Sequence, residues 1–260
     1  MQLSRRALMG TALGTAIAGT RAFGAGPAER VVELRQYKIV RGKRDAFITL
    51  FEREFVDSQE ALGMRLIGQY RDLDDPDRFT WLREFPSMAA RAEALNAFYF
   101  GPAWKAHRAE ANPMLDDNDN VLLLRPAAAG TGFGPAERRD GAGAPGVTVA
   151  TIHYLWKEPT QGFAVFFQTR MRPLLEAAGL PVLAAFVPER SPNNFAQLPI
   201  REGEKLFVWF TRAGDADARV LAQLRQSPEW RNAVAPLLDD FEERPAQVLR
   251  LQPTPRSRLR

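Results

Sequence analysis

Cysteine is missing from all 260 residues, and histidine occurs only as His107 and His153. The first absence excludes disulfides, thiolate nucleophiles and cysteine metal sites. The second, with the two histidines at non-equivalent places, excludes a multi-histidine metal site, and no metal is expected. There is no Gly-rich phosphate loop, no Gly-x-Ser-x-Gly elbow and no convincing carboxylate pair for glycosidase work. Motifs therefore name neither a catalytic residue nor a cofactor. Acids are missing before Glu29, so Arg5, Arg6 and Arg21 supply three of the four net positive charges. Arg256, Arg258 and Arg260 concentrate three more in a basic tail at 254–260. A basic groove on the folded body is not indicated, which disfavours nucleic-acid binding.

A bilayer-spanning run is also missing. The apolar stretch from Ala7 to Thr20 holds 14 residues, against the roughly 20 needed to cross. Paired arginines precede it, and small residues follow around Ala22-Phe23-Gly24-Ala25. This resembles a twin-arginine export signal. Residues 1–26 are assigned to that signal peptide. The mature protein is then expected to be periplasmic or otherwise exported, with no stable membrane insertion after cleavage. Hydrophobic residues make up 45% of the chain, enough for a sizeable globular core.

The remaining chain nearly repeats itself. Phe79-Thr80-Trp81-Leu82, Pro113-Met114-Leu115-Asp116-Asp117 and Val121-Leu122-Leu123-Leu124 recur in order as Phe207-Val208-Trp209-Phe210, Pro236-Leu237-Leu238-Asp239-Asp240 and Val248-Leu249-Arg250-Leu251. Phe47, Phe51 and Gly63 match Phe163, Phe167 and Gly179 at an offset of 116. Trp81 and Arg91 match Trp209 and Arg219 at 128, which places a 12-residue insertion between, within Ser191 to Gly203.

In the first copy, 27–126, alternation from Val31 to Val40 predicts a strand. Phe47, Phe51 and Phe55 at four-residue spacing predict a helix from Gly42 to Leu62, ended by Gly63. Strands follow at 64–71 and 79–85, helices at 86–98 and 102–111, and a strand at 121–125. Residues 127–146, rich in Ala, Gly and Pro, read as a linker. The second copy spans 147–253, with a kink expected at Pro173. The fold class is α+β: two ferredoxin-like β-α-β-β-α-β repeats. Each would leave one sheet face bare, so the two are expected to pack as a pseudo-dimeric α/β barrel within one chain. Further self-association is an open expectation.

The run Val32-Glu33-Leu34-Arg35-Gln36-Tyr37 resembles the opening of NIPSNAP-family domains. Gly68-Gln69-Tyr70-Arg71-Asp72, Trp81-Leu82-Arg83, Phe98-Tyr99 and Trp104-Lys105-Ala106-His107 continue the resemblance. The second copy is looser, with His153, Thr211 and Ala233 where the first has Tyr37, Arg83 and His107. The resemblance implies the dimeric α/β-barrel superfamily. That superfamily holds cofactor-free monooxygenases, haem enzymes and proteins with no known reaction. It points to an exported small-molecule-binding or structural protein. The alternative is a monooxygenase-like or haem-linked oxidoreductase with its pocket in the first repeat.

Seven residues are candidates for the wall of a ligand pocket: Glu33, Arg35, Tyr37, Arg83, Tyr99, Trp104 and His107. Glu33, Arg35 and Tyr37 share a strand face, assigned to the barrel interior, where they pair with one another or line a pocket. Arg83 among aromatics suits a carboxylate or an ion pair. His107, three residues after Trp104, is a general base, a haem ligand or a surface histidine. Phe98 and Phe100 read as core or pocket wall, and the matched Arg91 and Arg219 as structural.

Overall fold

The computed structural model describes residues 29–134, 146–213 and 215–260. The expected signal peptide, 1–26, and residues 135–145 of the expected linker lie outside them. The first half contains β1 (Val31–Ile39), α1 (Arg44–Leu50), a wide π turn (Phe51–Phe55), α2 (Val56–Glu60), β2 (Arg65–Asp72) and β3 (Arg78–Phe85). It continues with α3 (Met88–Tyr99), α4 (Pro102–Ala111), β4 (Leu115–Asp117) and β5 (Val121–Pro126). The second half contains β6 (Val147–Leu155), α5 (Phe163–Phe166), a π turn (Phe167–Met171), α6 (Arg172–Ala177) and β7 (Val182–Pro188). It ends with β8 (Leu206–Ala213), α7 (Asp215–Gln226), α8 (Pro228–Ala233), α9 (Ala235–Phe241) and β9 (Glu242–Pro253).

All strand pairings are antiparallel. The first half runs β2-β3-β1-β5 and the second β7-β8-β6-β9. Two seams join them, β2 on β9 and β5 on β7, so eight strands close into a barrel. Closure removes the exposed edges that an open sheet would present. The short β4 adds to the end of β1.

Strand alternation decides what fills the barrel. Val32, Leu34, Leu122 and Leu124 from the first half meet Ile152, Phe186, Val208, Phe210 and Leu251 from the second in one core. Glu33, Arg35 and Tyr37 therefore point the other way, into the layer between sheet and helices. This corrects their assignment to the interior. The alternation grouped the three residues properly but could not tell which face is inside. The barrel centre is lined by apolar side chains, and the helix layer offers these charges partners.

Strict alternation over 64–71 would put Met64, Leu66, Gly68 and Tyr70 on one face, and β2 departs from it. A bulge between Leu66 and Gly68 shifts the phase, so Tyr70 joins Ile67 in the barrel while Leu66 stays on the helix side. The Tyr70 ring lies over Gly68, where a β-carbon would come within 2.1 Å of the tyrosine hydroxyl. The matched strand β7 carries the same irregularity between Val182 and Ala184. The irregularity expected at Pro173 has another origin. The π turn that precedes it at Phe167–Met171 also occurs at Phe51–Phe55, where there is no proline.

Gly63 and Gly179 close their helices at φ +84° and +81°, in the left-handed region. No atom lies within 4 Å of a β-carbon built at either site. Alanine there should therefore meet backbone strain alone and destabilise by about 1 kcal/mol at each position. Urea denaturation of both variants measures this, and unchanged midpoints would contradict it.

Two segments outside the expected repeats are docked. Phe133, in the linker, plugs one end of the barrel against Phe186 and Phe210, with centroids 5.1 Å from each. The basic tail lies on the first half. Arg256 pairs with Asp57 and Arg258 with Glu60, and Leu259 N–H donates to the Ile67 carbonyl at 2.9 Å. The charges of Arg256 and Arg258 are matched by carboxylates of α2.

Candidate functional site

The polar face of β1 meets β3 and two helices in a buried cluster. Glu33 lies directly opposite Arg83 across the strand pair. Its Oε2 accepts from Arg35 Nη1 at 2.8 Å and Arg83 Nε at 2.7 Å, and its Oε1 from Arg91 Nε at 2.7 Å. Arg83 Nη1 donates to Gln59 Oε1 at 2.8 Å, and Gln59 Nε2 to the Phe55 carbonyl at 2.9 Å. Arg35 Nε donates to the Tyr37 hydroxyl at 2.8 Å. Glu33, Arg35, Arg83 and Arg91 are all 0% exposed.

Burial by itself would push the Glu33 carboxyl up. Arg83, Arg35 and Arg91 outweigh it and hold the group well below the usual carboxylate range. Arg91 moves down, through burial opposed by Glu33 and reinforced by repulsion from Arg83 and Arg35. Three cations thus share one anion.

Beside the cluster lies a cavity of about 60 Å³, between the sheet and the helices. One water needs roughly 10–15 Å³, so it suits a small ligand. Tyr37, Gln59 and Trp81 form the wall it shares with the cluster, and Phe51, Phe55, Phe98, Tyr99 and Trp104 supply much of the rest. Asn112, Asn118 and Leu198 also line it. Leu198 comes from the second half, on the inserted loop. That loop crosses to the first half and caps the site. Phe195 stacks on Tyr99 at 5.6 Å, and Asn193 Oδ1 and Asn194 Oδ1 accept from Arg91 Nη1 at 3.2 and 2.6 Å.

Of the seven candidates, Tyr37, Tyr99 and Trp104 line the cavity, and Glu33, Arg35 and Arg83 stand behind its wall. His107 is not among the lining residues. Its Nε2 lies 3.1 Å from Glu54 Oε2 on the flank of α4. Phe98 is buried core and cavity wall, whereas Phe100 is half exposed. Sequence reasoning missed Arg91, Gln59, Trp81 and the capping loop as parts of the site. A signal for Arg91 existed: it occupies the buried stripe of α3 with Ala94, Leu95 and Phe98, at helical spacing. An arginine there requires a buried partner. Its match Arg219 is exposed, so the pairing of the two carried no shared role.

The second half lacks the cluster. Val149, Thr151 and His153 stand where the first half has Glu33, Arg35 and Tyr37. A cavity of about 290 Å³ lies beside His153, Trp209, Trp230 and Glu242. Trp209 Nε1–H donates to His153 Nε2 at 3.0 Å, which leaves Nδ1 to donate to Glu242 Oε1 at 2.5 Å. Both ring nitrogens are engaged, so the histidine presents no free base to that cavity.

Barrel, helix layer and lined cavity together define a mixed α/β protein with a closed antiparallel barrel. Residues 32–129 match the family model described as NIPSNAP, so the NIPSNAP pattern lies in the half that carries the arginine cluster. Among curated proteins, none matches the chain. A candidate monooxygenase from Fusobacterium nucleatum aligns over 87% of this chain and 93% of its own, at 12% identity and a TM-score of 0.58. A candidate monooxygenase from Lactobacillus acidophilus aligns over 86% and 93%, at 13% and 0.55. At these identities the likeness shows the fold. A NIPSNAP family protein from Agrobacterium tumefaciens aligns over 38% of this chain and 86% of its own, at 22% identity and a TM-score of 0.36.

Proposed function

We propose that this protein binds a small molecule in the first-half cavity. The carrying observation is the cap: a loop from the second half lies over an aromatic cavity that the second half's own strands do not line. Covering a cavity with a dedicated insertion suits a ligand held away from solvent. The barrel is read as two copies of one β-α-β-β-α-β unit, of which the first keeps the site and the second supplies its cover.

Trp81 and Trp104 stand in the wall, so entry of a small fragment is expected to quench tryptophan fluorescence saturably. Leu198→Phe, which fills the cavity from the loop, should remove that response. A fragment panel that never quenches, or quenching indifferent to Leu198→Phe, would defeat the reading.

A second reading is cofactor-free monooxygenase chemistry at the same cavity, favoured by the fold of the two candidate monooxygenases above. Oxygen consumption with compounds that bind is its test, and binders that consume none would count against it. Haem does not fit this site. His107 is held by Glu54 outside the lining, and the cavity is far too small for a macrocycle.

Export by the twin-arginine route is proposed from Arg5-Arg6 and the short run after them. Replacing both with lysine should retain the precursor in the cytoplasm, and unchanged delivery on fractionation would argue against that route.

A further inference from the structure

The cluster behind the cavity wall is unbalanced. Three buried guanidiniums face one carboxylate, and Nη2 of Arg35, Nη2 of Arg83 and Nη2 of Arg91 each lack a hydrogen-bond partner. A buried excess of positive charge is expensive unless an anion stands near. The cavity wall transmits that charge through two side chains. Arg35 donates to the Tyr37 hydroxyl, and Arg83 to Gln59, and both acceptors line the cavity.

The same wall offers donors without acceptors. Tyr37 already accepts from Arg35, so its own hydrogen is left to donate. Burial pushes its hydroxyl up to about 12, which keeps that hydrogen in place at neutral pH. Trp81 Nε1–H is buried and has no partner. Gln59 is spent, its oxygen on Arg83 and its nitrogen on the Phe55 carbonyl. Among the described residues, no Asp or Glu lines the cavity.

We propose that the cavity takes a small organic anion, a carboxylate on a body of one or two carbons, with its charged end on Tyr37 O–H and Trp81 Nε1–H. This rests on the ligand-binding reading above and names the class of ligand. The aromatic walls hold the body, and the arginines supply the field that favours the charge.

The test uses the full chain with acetate and its neutral isostere acetamide. Calorimetry should show acetate binding at least about tenfold more tightly, a difference of about 1.4 kcal/mol. Tyr37→Phe keeps the ring and should lose most of that preference, as should Trp81→Phe. If one variant fails to fold, the other carries the comparison. The Trp81 indole N–H resonance, assigned from Trp81→Phe, should move with acetate and stay with acetamide. Equal affinity for the two compounds would overturn the anion assignment and leave cavity binding intact. An acetate preference that survives in the folded variants would also overturn it. Binding of neither compound would overturn both readings.

Discussion

Replacing Glu33 with alanine should destabilise the protein by about 3–5 kcal/mol, the range for breaking a buried ion pair by removing one partner. The expected loss is large because the carboxylate has three partners. Arg35, Arg83 and Arg91 all hold it, and all four groups are fully buried. Without it, three guanidiniums repel one another with no counter-charge from the sheet. Glu33→Gln keeps the shape and separates charge from packing. The sign with pH follows from the depressed carboxyl. Its contribution is complete above the ordinary glutamate value of 4.5 and is lost as pH falls from there through the lower folded value. Below about pH 4.5 the wild-type stability should therefore fall more steeply than that of Glu33→Gln. Denaturant midpoints measured across that range decide the matter. Parallel curves for the two proteins would mean that the cluster does not hold the carboxylate ionised.

Separating the halves should abolish the fold altogether. The seams β2–β9 and β5–β7 would each be left as open edges. The core would be divided too, since Val32, Leu34 and Leu122 bury themselves against Ile152, Phe186 and Val208. A bare apolar sheet face with open edges is a template for association. Residues 27–130 expressed alone are expected to self-associate, and residues 144–260 to be insoluble. Solution mass and thermal unfolding are the measurements. Two monomeric fragments that each unfold cooperatively would contradict the shared core. Refolding the pair together should restore a one-to-one complex if the seams carry the recognition.

Much of this architecture was legible in the residues. Phenylalanines at four-residue spacing located the first helix of each half, and Gly63 and Gly179 marked their ends because a left-handed residue is nearly always glycine. The offset of 116 at Gly179 and of 128 at Trp209 located the insertion between them, because a repeat kept in register exposes any added residues. These signals are local, and chain geometry alone enforces them. Alternation also grouped Glu33, Arg35 and Tyr37 on one face, since successive side chains on a strand must oppose. It could not say which face meets the barrel interior. That depends on which elements pack against each side, and only the tertiary structure decided it, turning Val32 and Leu34 inward and the charges toward Gln59 and Arg91. The bulge at Leu66 and Gly68 moved Tyr70 to the opposite face, because one extra residue inverts every position after it. The insertion was found as extra length, while its role as a cap on the other half came from a contact about 100 residues distant in the chain, Arg91 to Asn194. Neither period nor composition encodes a contact of that range. The site is built mostly from such contacts, so the sequence determined its parts and the closed barrel determined their assembly.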